Sequence, residues 1–86
     1  MSGPDLEEQL RESGLRVTRQ RLAVLTVLHD HPHTDTDTVI RRAREVAGDV
    51  SHQAVYDVLR ALTEAGLVRR IQPTGSVARY EVRVGD

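Results

Sequence analysis

Three histidines alternate along one short polar segment, at His29, His31 and His33, with Asp30 among them. Neutral imidazole is a good ligand for zinc, iron and manganese. From these residues alone the favoured interpretation is a solvent-exposed loop, and a stand-alone metal-carrying protein is the alternative. The 86 residues include no cysteine, so the sequence excludes a disulfide, a thiolate metal site and a cysteine nucleophile.

The rest of the chain contains few residues in arrangements that could support catalysis. Ser51 and His52 are adjacent, but a helix cap explains the serine better than a nucleophile does. The sequence also lacks a glycine-rich loop of the kind that holds phosphates. We therefore expect the protein not to be an enzyme.

The basic residues are the remaining candidates for binding chemistry, and all of them are arginines. A net charge of −1 is low for a protein that binds nucleic acid, yet the charges are unevenly spread. Residues 14–29 contain Arg16, Arg19 and Arg21 and no acid, whereas most of the acids lie between Asp5 and Asp49. This distribution permits local basic patches on a nearly neutral chain.

Helices account for most of the predicted structure. Apolar periodicity, together with caps and breaks, predicts helices over residues 5–13, 19–29, 36–47 and 52–65. Thr18, Asp35 and Ser51 stand where the N-caps of the last three helices are expected. The buried positions of the third helix are expected at Val39, Ile40, Ala43, Val46 and Ala47.

Two strands are predicted after the last helix, over residues 67–72 and 77–84, with a turn at residues 73–76. In the second of them, apolar and charged residues alternate, which is typical of a half-buried strand; the apolar ones are Ala78, Tyr80, Val82 and Val84. A tight connection that contains Gly48 joins the third and fourth helices. Two helices joined in this way and followed by a hairpin indicate a winged helix-turn-helix. The predicted fold class is mainly α with a small β-hairpin (α+β), with four helices and a two-stranded wing in one domain, residues 1–86.

In such a fold the second helix of the pair lies in the major groove and leads with its N-terminal residues. The apolar stripe of the fourth helix should face the core, which leaves Gln53, Tyr56, Asp57 and Arg60 on the outer face, with His52 at its entry. We expect DNA contacts from His52, Gln53, Tyr56 and Arg60. Tyr56 can pack on a thymine methyl group or hydrogen-bond a phosphate, and Gln53 can read adenine. Ser51 would help to offer the helix N-terminus to a phosphate. The alternative is an ordinary solvent-exposed helix face.

Further DNA contacts are expected from two other segments. Arg16 and Arg19 flank the cap of the second helix and would contact the DNA backbone or the minor groove. Arg21 is expected nearer the core face. Thr74 and Arg79 would contact DNA from the wing.

Four ordered motifs resemble those of the ferric uptake regulator (Fur) family. Residues 14–21, GLRVTRQR, resemble its GL-x-x-T-x-x-R opening, and residues 51–59, SHQAVYDVL, resemble its recognition-helix motif. Residues 65–68 and 78–81 look like the family's helix end and wing. The segments QAVYD and GLVRRIQPTGSVARYE are similar to the actinobacterial FurA branch, which is linked to catalase-peroxidase control.

The resemblance implies a homodimeric, metal-activated repressor that binds an A/T-rich inverted repeat in double-stranded DNA and controls iron or oxidative-stress genes. Tyr56 takes the place of the family's base-contacting tyrosine, and Arg16 takes that of its minor-groove cation. Asp57 departs from the pattern, since the family usually has an arginine or asparagine there. A carboxylate is unfavourable near phosphates, although it could accept a hydrogen bond from a cytosine amino group.

The resemblance also assigns His33 and Glu81 to the family's sensor metal site. Its other ligands come from a segment past the wing and from a C-terminal dimerisation domain, which we expect to lie outside this chain because it stops at Asp86. Two ligands do not close a metal site. We therefore expect no tightly bound cofactor here, with Fe²⁺, Mn²⁺ or Zn²⁺ implied for the full-length family member. This chain is expected to be a monomer.

The composition, with 38% hydrophobic and 29% charged residues, is typical of a soluble globular domain. No apolar run approaches the length of a membrane span, and the polar, acidic N-terminus does not resemble a signal peptide, so a cytoplasmic location is expected. Two alternatives remain open: a winged helix that contacts proteins, and a short competitor of a full-length repressor. A protein-contacting module would favour an apolar patch on the outer face of the fourth helix.

Overall fold

The computed structural model describes residues 5–83, which form four helices and one antiparallel sheet of three strands. In chain order these are α1 (Leu6–Glu12), α2 (Arg19–Asp30), β1 (Thr34–Asp35), α3 (Thr36–Ala47), α4 (His52–Glu64), β2 (Val68–Ile71) and β3 (Arg79–Val82). The prediction of four helices followed by a hairpin is confirmed, and each helix bound lies within one residue of its predicted place. The two hairpin strands are shorter than predicted, and Val84 lies outside the described residues.

Side-chain caps determine where the three longer helices begin. Thr18 accepts a hydrogen bond from the Arg21 N–H at 3.1 Å, and Asp35 accepts one from the Thr38 N–H at 3.0 Å. Ser51 accepts one from the Ala54 N–H, also at 3.0 Å. Because the first N–H groups of a helix have no partner within the helix, each such cap stabilises its helix by about 1 kcal/mol.

The connection between α3 and α4 is short and held in place by a side chain. Gly48 ends α3 with a φ of 85°, a left-handed conformation that glycine adopts without strain. Arg44 then reaches forward from α3, and its Nε donates to the Val50 carbonyl at 2.9 Å. Val50 itself is buried in the core. The turn therefore fixes the start of α4 relative to α3.

One apolar core joins the helices to the sheet. Its members come from every helix, from the connection between α3 and α4, and from β2 and β3; they are Leu10, Val24, Leu25, Leu28, Val39, Ile40, Ala43, Val50, Val55, Val58, Leu59, Leu62, Val68 and Tyr80. The prediction that Val46 is buried is wrong, since its side chain is 60% exposed. It lies in the last turn of α3, about 100° round the helix from its neighbour Ala47. Ala47, in the same turn, is partly buried against the core.

The sheet contains one strand more than the sequence predicted. β1 pairs with β3, so that Thr34 lies opposite Tyr80 and Asp35 lies opposite Arg79, and the strand order is β1-β3-β2. Two residues are too few to show the alternation by which strands are recognised. The consequence is functional, because β1 holds His33 beside the wing.

The helices within residues 5–83 are all too short or too polar to cross a lipid bilayer.

Candidate nucleic-acid interface

The outer face of α4 is polar and open to solvent. Tyr56 is 47% exposed, although its neighbour Val55 is fully buried. Gln53, Asp57 and Arg60 are also exposed. Along this face Gln53 Nε2 donates to Asp57 Oδ1 at 2.9 Å. The apolar stripe on the inner side therefore fixes a helix that presents an aromatic ring, an amide, a carboxylate and a guanidinium outward.

A cleft of about 510 Å³ lies between this face and the start of α2. Arg16 and Arg21 line it from the α2 side, and Asp57 lines it from α4. The Arg21 guanidinium donates to the Arg16 carbonyl at 2.9 Å, so these two arginines are held together. The structure thus brings Arg16 and Arg21 to α4. Arg19 is exposed but does not line this cleft.

A second cleft, of about 420 Å³, lies between α4 and the sheet. Tyr56 and Arg60 line it from the helix, and Arg70 and Tyr80 line it from the strands. Arg70 was not among the residues that the sequence singled out. The run Val68–Ile71 shows no alternation, and Arg70 is placed on this face only by its pairing opposite Tyr80.

The wing residues predicted to meet DNA point in different directions. Thr74 is exposed in the turn, where the Ser76 N–H donates to the Pro73 carbonyl at 3.0 Å. Arg79 is exposed as well, but its Nη1 donates to the His33 carbonyl at 3.2 Å. Because neighbouring strand residues alternate between faces, Arg79 lies on the opposite face of the sheet from Tyr80 and Arg70.

On that opposite face, His33 and Glu81 are in contact. His33 Nε2 lies 2.8 Å from Glu81 Oε2, while Arg69 donates from its Nε to Glu81 Oε1 at 3.0 Å. His33 has a φ of 65°, a conformation that non-glycine residues adopt at a cost. The Arg69 hydrogen bond, with the neighbouring His33, holds the pKa of Glu81 below its ordinary value. The two predicted sensor ligands are therefore adjacent.

These residues do not form a complete metal site by themselves. Within residues 5–83, no three His, Asp or Glu side chains are grouped so that they could hold an ion. His29 is instead paired with Asp30, with 3.3 Å between Nδ1 and Oδ1, and His31 is exposed. Two donors leave a tetrahedral or octahedral site open. Arg69 also donates a hydrogen bond to one of the Glu81 oxygens.

The large apolar side chains exposed in the described part of the chain are scattered rather than gathered. They are Val46 on α3, Tyr56 on α4 and Val77 before β3. The outer face of α4 thus lacks the apolar patch that a protein-contacting helix would favour.

A tight helix-turn-helix whose second helix exposes a polar face, with a β-hairpin packed beside it, defines a winged helix-turn-helix protein. Residues 12–86 match the model of the Ferric uptake regulator family, and the chain belongs to that family. Its relatives include proteins described as transcriptional regulators, and family membership confirms the expectation that the chain is not an enzyme.

Two relatives show how much of a family member's length this chain covers. The chain is 66% identical over 84 residues to Ferric uptake regulation protein 1 of Mycolicibacterium fortuitum, covering 98% of this chain and 52% of that one. It is 65% identical over 83 residues to Transcriptional regulator FurA of Mycobacterium tuberculosis, covering 96% and 56% respectively. The chain thus spans about half the length of the curated relatives it matches, and it corresponds to their N-terminal region.

Solved structures agree with the fold. The ferric uptake regulator of Vibrio cholerae matches with a TM-score of 0.83 and 27% identity, over 93% of this chain and 63% of that one. A zinc-bound manganese uptake regulator matches with a TM-score of 0.85 and 30% identity, over 96% and 64%. These matches confirm the winged-helix architecture.

Proposed function

We propose that this chain is the DNA-reading domain of a metal-dependent Fur-type transcriptional repressor. The observation that carries the proposal is the outer face of α4, where Tyr56 and Gln53 are exposed and arginines line the clefts on both sides of the helix. An α-helix fits the major groove of B-DNA, and side chains of these types contact base edges there. The structurally similar ferric uptake regulator of Vibrio cholerae has DNA-binding domains.

The arginines supply the sequence-independent part of the binding. Arg16 and Arg21 lie on one side of α4, and Arg60 and Arg70 lie on the other, so the helix could enter the groove with a guanidinium pair near each flanking backbone. Phosphate contacts position a protein on the duplex, and base contacts specify the sequence. The helix N-terminus at Ser51 and His52, together with Thr74 of the turn, would add contacts to the backbone. Arg19 and Arg79 stay candidates of the same kind.

The names of two relatives support the regulatory part of the proposal. One is a ferric uptake regulation protein and the other a transcriptional regulator, and we propose that this chain helps to control iron or oxidative-stress genes through an A/T-rich inverted repeat, in the cytoplasm. An inverted repeat requires two reading domains in a dimer. We propose that the length of the relatives not covered here supplies dimerisation and the missing metal ligands.

The metal response would involve the junction of β1 and β3. His33 and Glu81 offer an imidazole nitrogen and a carboxylate oxygen, a donor set that suits Fe²⁺, Mn²⁺ or Zn²⁺. They would need further donors from outside the described residues. A bound cation would supply positive charge at the side of the wing.

A fluorescence-anisotropy titration tests the DNA-reading function. The chain is titrated with an A/T-rich palindrome and with a scrambled duplex of the same composition, each at two salt concentrations. We expect tighter binding to the palindrome and a steep fall in both affinities with salt, because arginine–phosphate contacts release counterions. Equal affinities that do not respond to salt would overturn the proposal and favour a protein-contacting winged helix.

A further inference from the structure

We infer that Asp57, held by Gln53 on the outer face of α4, is a specificity-determining residue that accepts a hydrogen bond from a cytosine amino group in the major groove. The inference rests on the proposed DNA-reading function and names one base that this function would select.

The geometry begins with the contact between the two side chains. Gln53 and Asp57 are one helical turn apart, both are exposed, and 2.9 Å separates Gln53 Nε2 from Asp57 Oδ1. A carboxylate can only accept, so the NH₂ group of the amide must face Asp57. The contact uses one amide hydrogen and restrains both side chains.

The groups left for a partner are mostly acceptors. Asp57 Oδ2 makes no further hydrogen bond within residues 5–83, and the amide oxygen of Gln53 is likewise available. The pair therefore presents two oxygens on the face that the proposed function turns toward the bases. Tyr56, the adjacent residue, is also exposed and lines the cleft on the sheet side of α4.

Among the four bases, cytosine fits this acceptor pair best. Its major-groove edge offers the N4 amino donor and no acceptor. Guanine presents N7 and O6, and thymine presents O4, so each would bring an acceptor against a carboxylate. Adenine also offers an N6 amino donor, and the second amide hydrogen of Gln53 could meet its N7, but that acceptor would then lie beside the Asp57 carboxylate. The free oxygen of Asp57 thus disfavours guanine and thymine, and it favours cytosine over adenine because cytosine has no acceptor beside its amino group.

The position of Asp57 also argues against a role in general affinity. The carboxylate lines the same cleft as Arg16 and Arg21, where a phosphate would otherwise be attracted. A negative charge there opposes phosphate binding on every sequence. Asp57 is therefore expected to weaken binding to every duplex, and its role is to select a base rather than to raise the overall affinity for DNA.

The test is selection from a library of random duplexes, with the bound sequences counted for the wild-type chain and for D57A. Because Asp57 is exposed, the variant should fold, and thermal melting checks this. We expect the wild-type motif to contain one position that prefers cytosine by about tenfold, and we expect D57A to lose that preference while keeping the rest of the motif. E12Q removes an exposed carboxylate on α1 and serves as the charge-matched control, with an unchanged motif.

The other outcomes are distinguishable. A D57A motif that keeps the cytosine preference overturns the role of Asp57, whether or not affinity rises on all duplexes, and leaves the DNA-reading function standing. A wild-type chain that enriches no sequence overturns the proposed function and the base-specific inference with it.

Discussion

Glu81 lies on β3, the central strand of the sheet, and its carboxylate contacts the side chains of Arg69 and His33. One of its oxygens accepts from Arg69 on β2, and the other lies against His33 beside β1. The same histidine is tethered through its carbonyl by Arg79. Any cation that binds the His33–Glu81 pair must therefore compete with, or add to, interactions that are already made.

The R69A variant should raise the pKa of Glu81. The hydrogen bond from Arg69 is the largest cause of the lowered pKa, so its removal should return the titration midpoint toward the ordinary value of 4.5. The measurement is the pH dependence of the Glu81 carboxyl carbon shift by NMR. R70A, which removes an exposed arginine from the same strand, should leave that midpoint in place. Equal midpoints in wild type and R69A would contradict the assignment.

The same shift has a definite effect on acid stability. A carboxylate whose pKa is lower in the folded state stabilises that state at pH values above 4.5. The contribution is lost as the pH falls from there through the lower folded pKa. R69A should therefore lose less stability than wild type across this acidic range.

At the scale of the element, two valines of α3 should contribute differently to the stability of the fold. Val39 is fully buried and Val46 is 60% exposed. V39A should lower the free energy of unfolding by about 2 kcal/mol, because it removes buried methyl groups and leaves a cavity. V46A should change it by less than about 0.5 kcal/mol.

Urea denaturation of the two variants measures this difference. Both replacements change valine to alanine within one helix, so any gain in helix propensity is shared, and the difference reports burial alone. If V46A destabilises the chain as much as V39A does, Val46 is buried in solution, and this would contradict the exposed position described above.

The elements also show what can be predicted from sequence. Thr18, Asp35 and Ser51 marked the helix starts correctly because a cap acts within three residues of itself. β1 escaped prediction because its two residues are a strand only through pairing with β3, far along the chain. Arg70 escaped for the same reason, since its face is set by pairing opposite Tyr80. The adjacency of His33 and Glu81 followed from family resemblance alone, because no local pattern links a loop to a distant strand.

At the scale of the whole molecule, we expect this chain to read DNA without holding a metal ion tightly. The described residues bring two donors together, and two donors leave a metal site open. Calorimetric titration of the 86-residue chain with zinc should therefore show binding no tighter than roughly micromolar, and H33A should weaken it further. Stoichiometric, sub-micromolar binding would contradict this and would require donors outside residues 5–83.

The most direct test of the DNA-reading role of α4 is the ratio of affinities for an A/T-rich palindrome and a scrambled duplex, measured by anisotropy for wild type and Y56A. Tyr56 is 47% exposed, so the variant should keep its fold, as melting would verify. Loss of a base contact should lower the ratio by about tenfold, while binding to the scrambled duplex, governed by the arginines, changes little. An unchanged ratio in a folded Y56A chain would mean that α4 is not the helix that reads DNA.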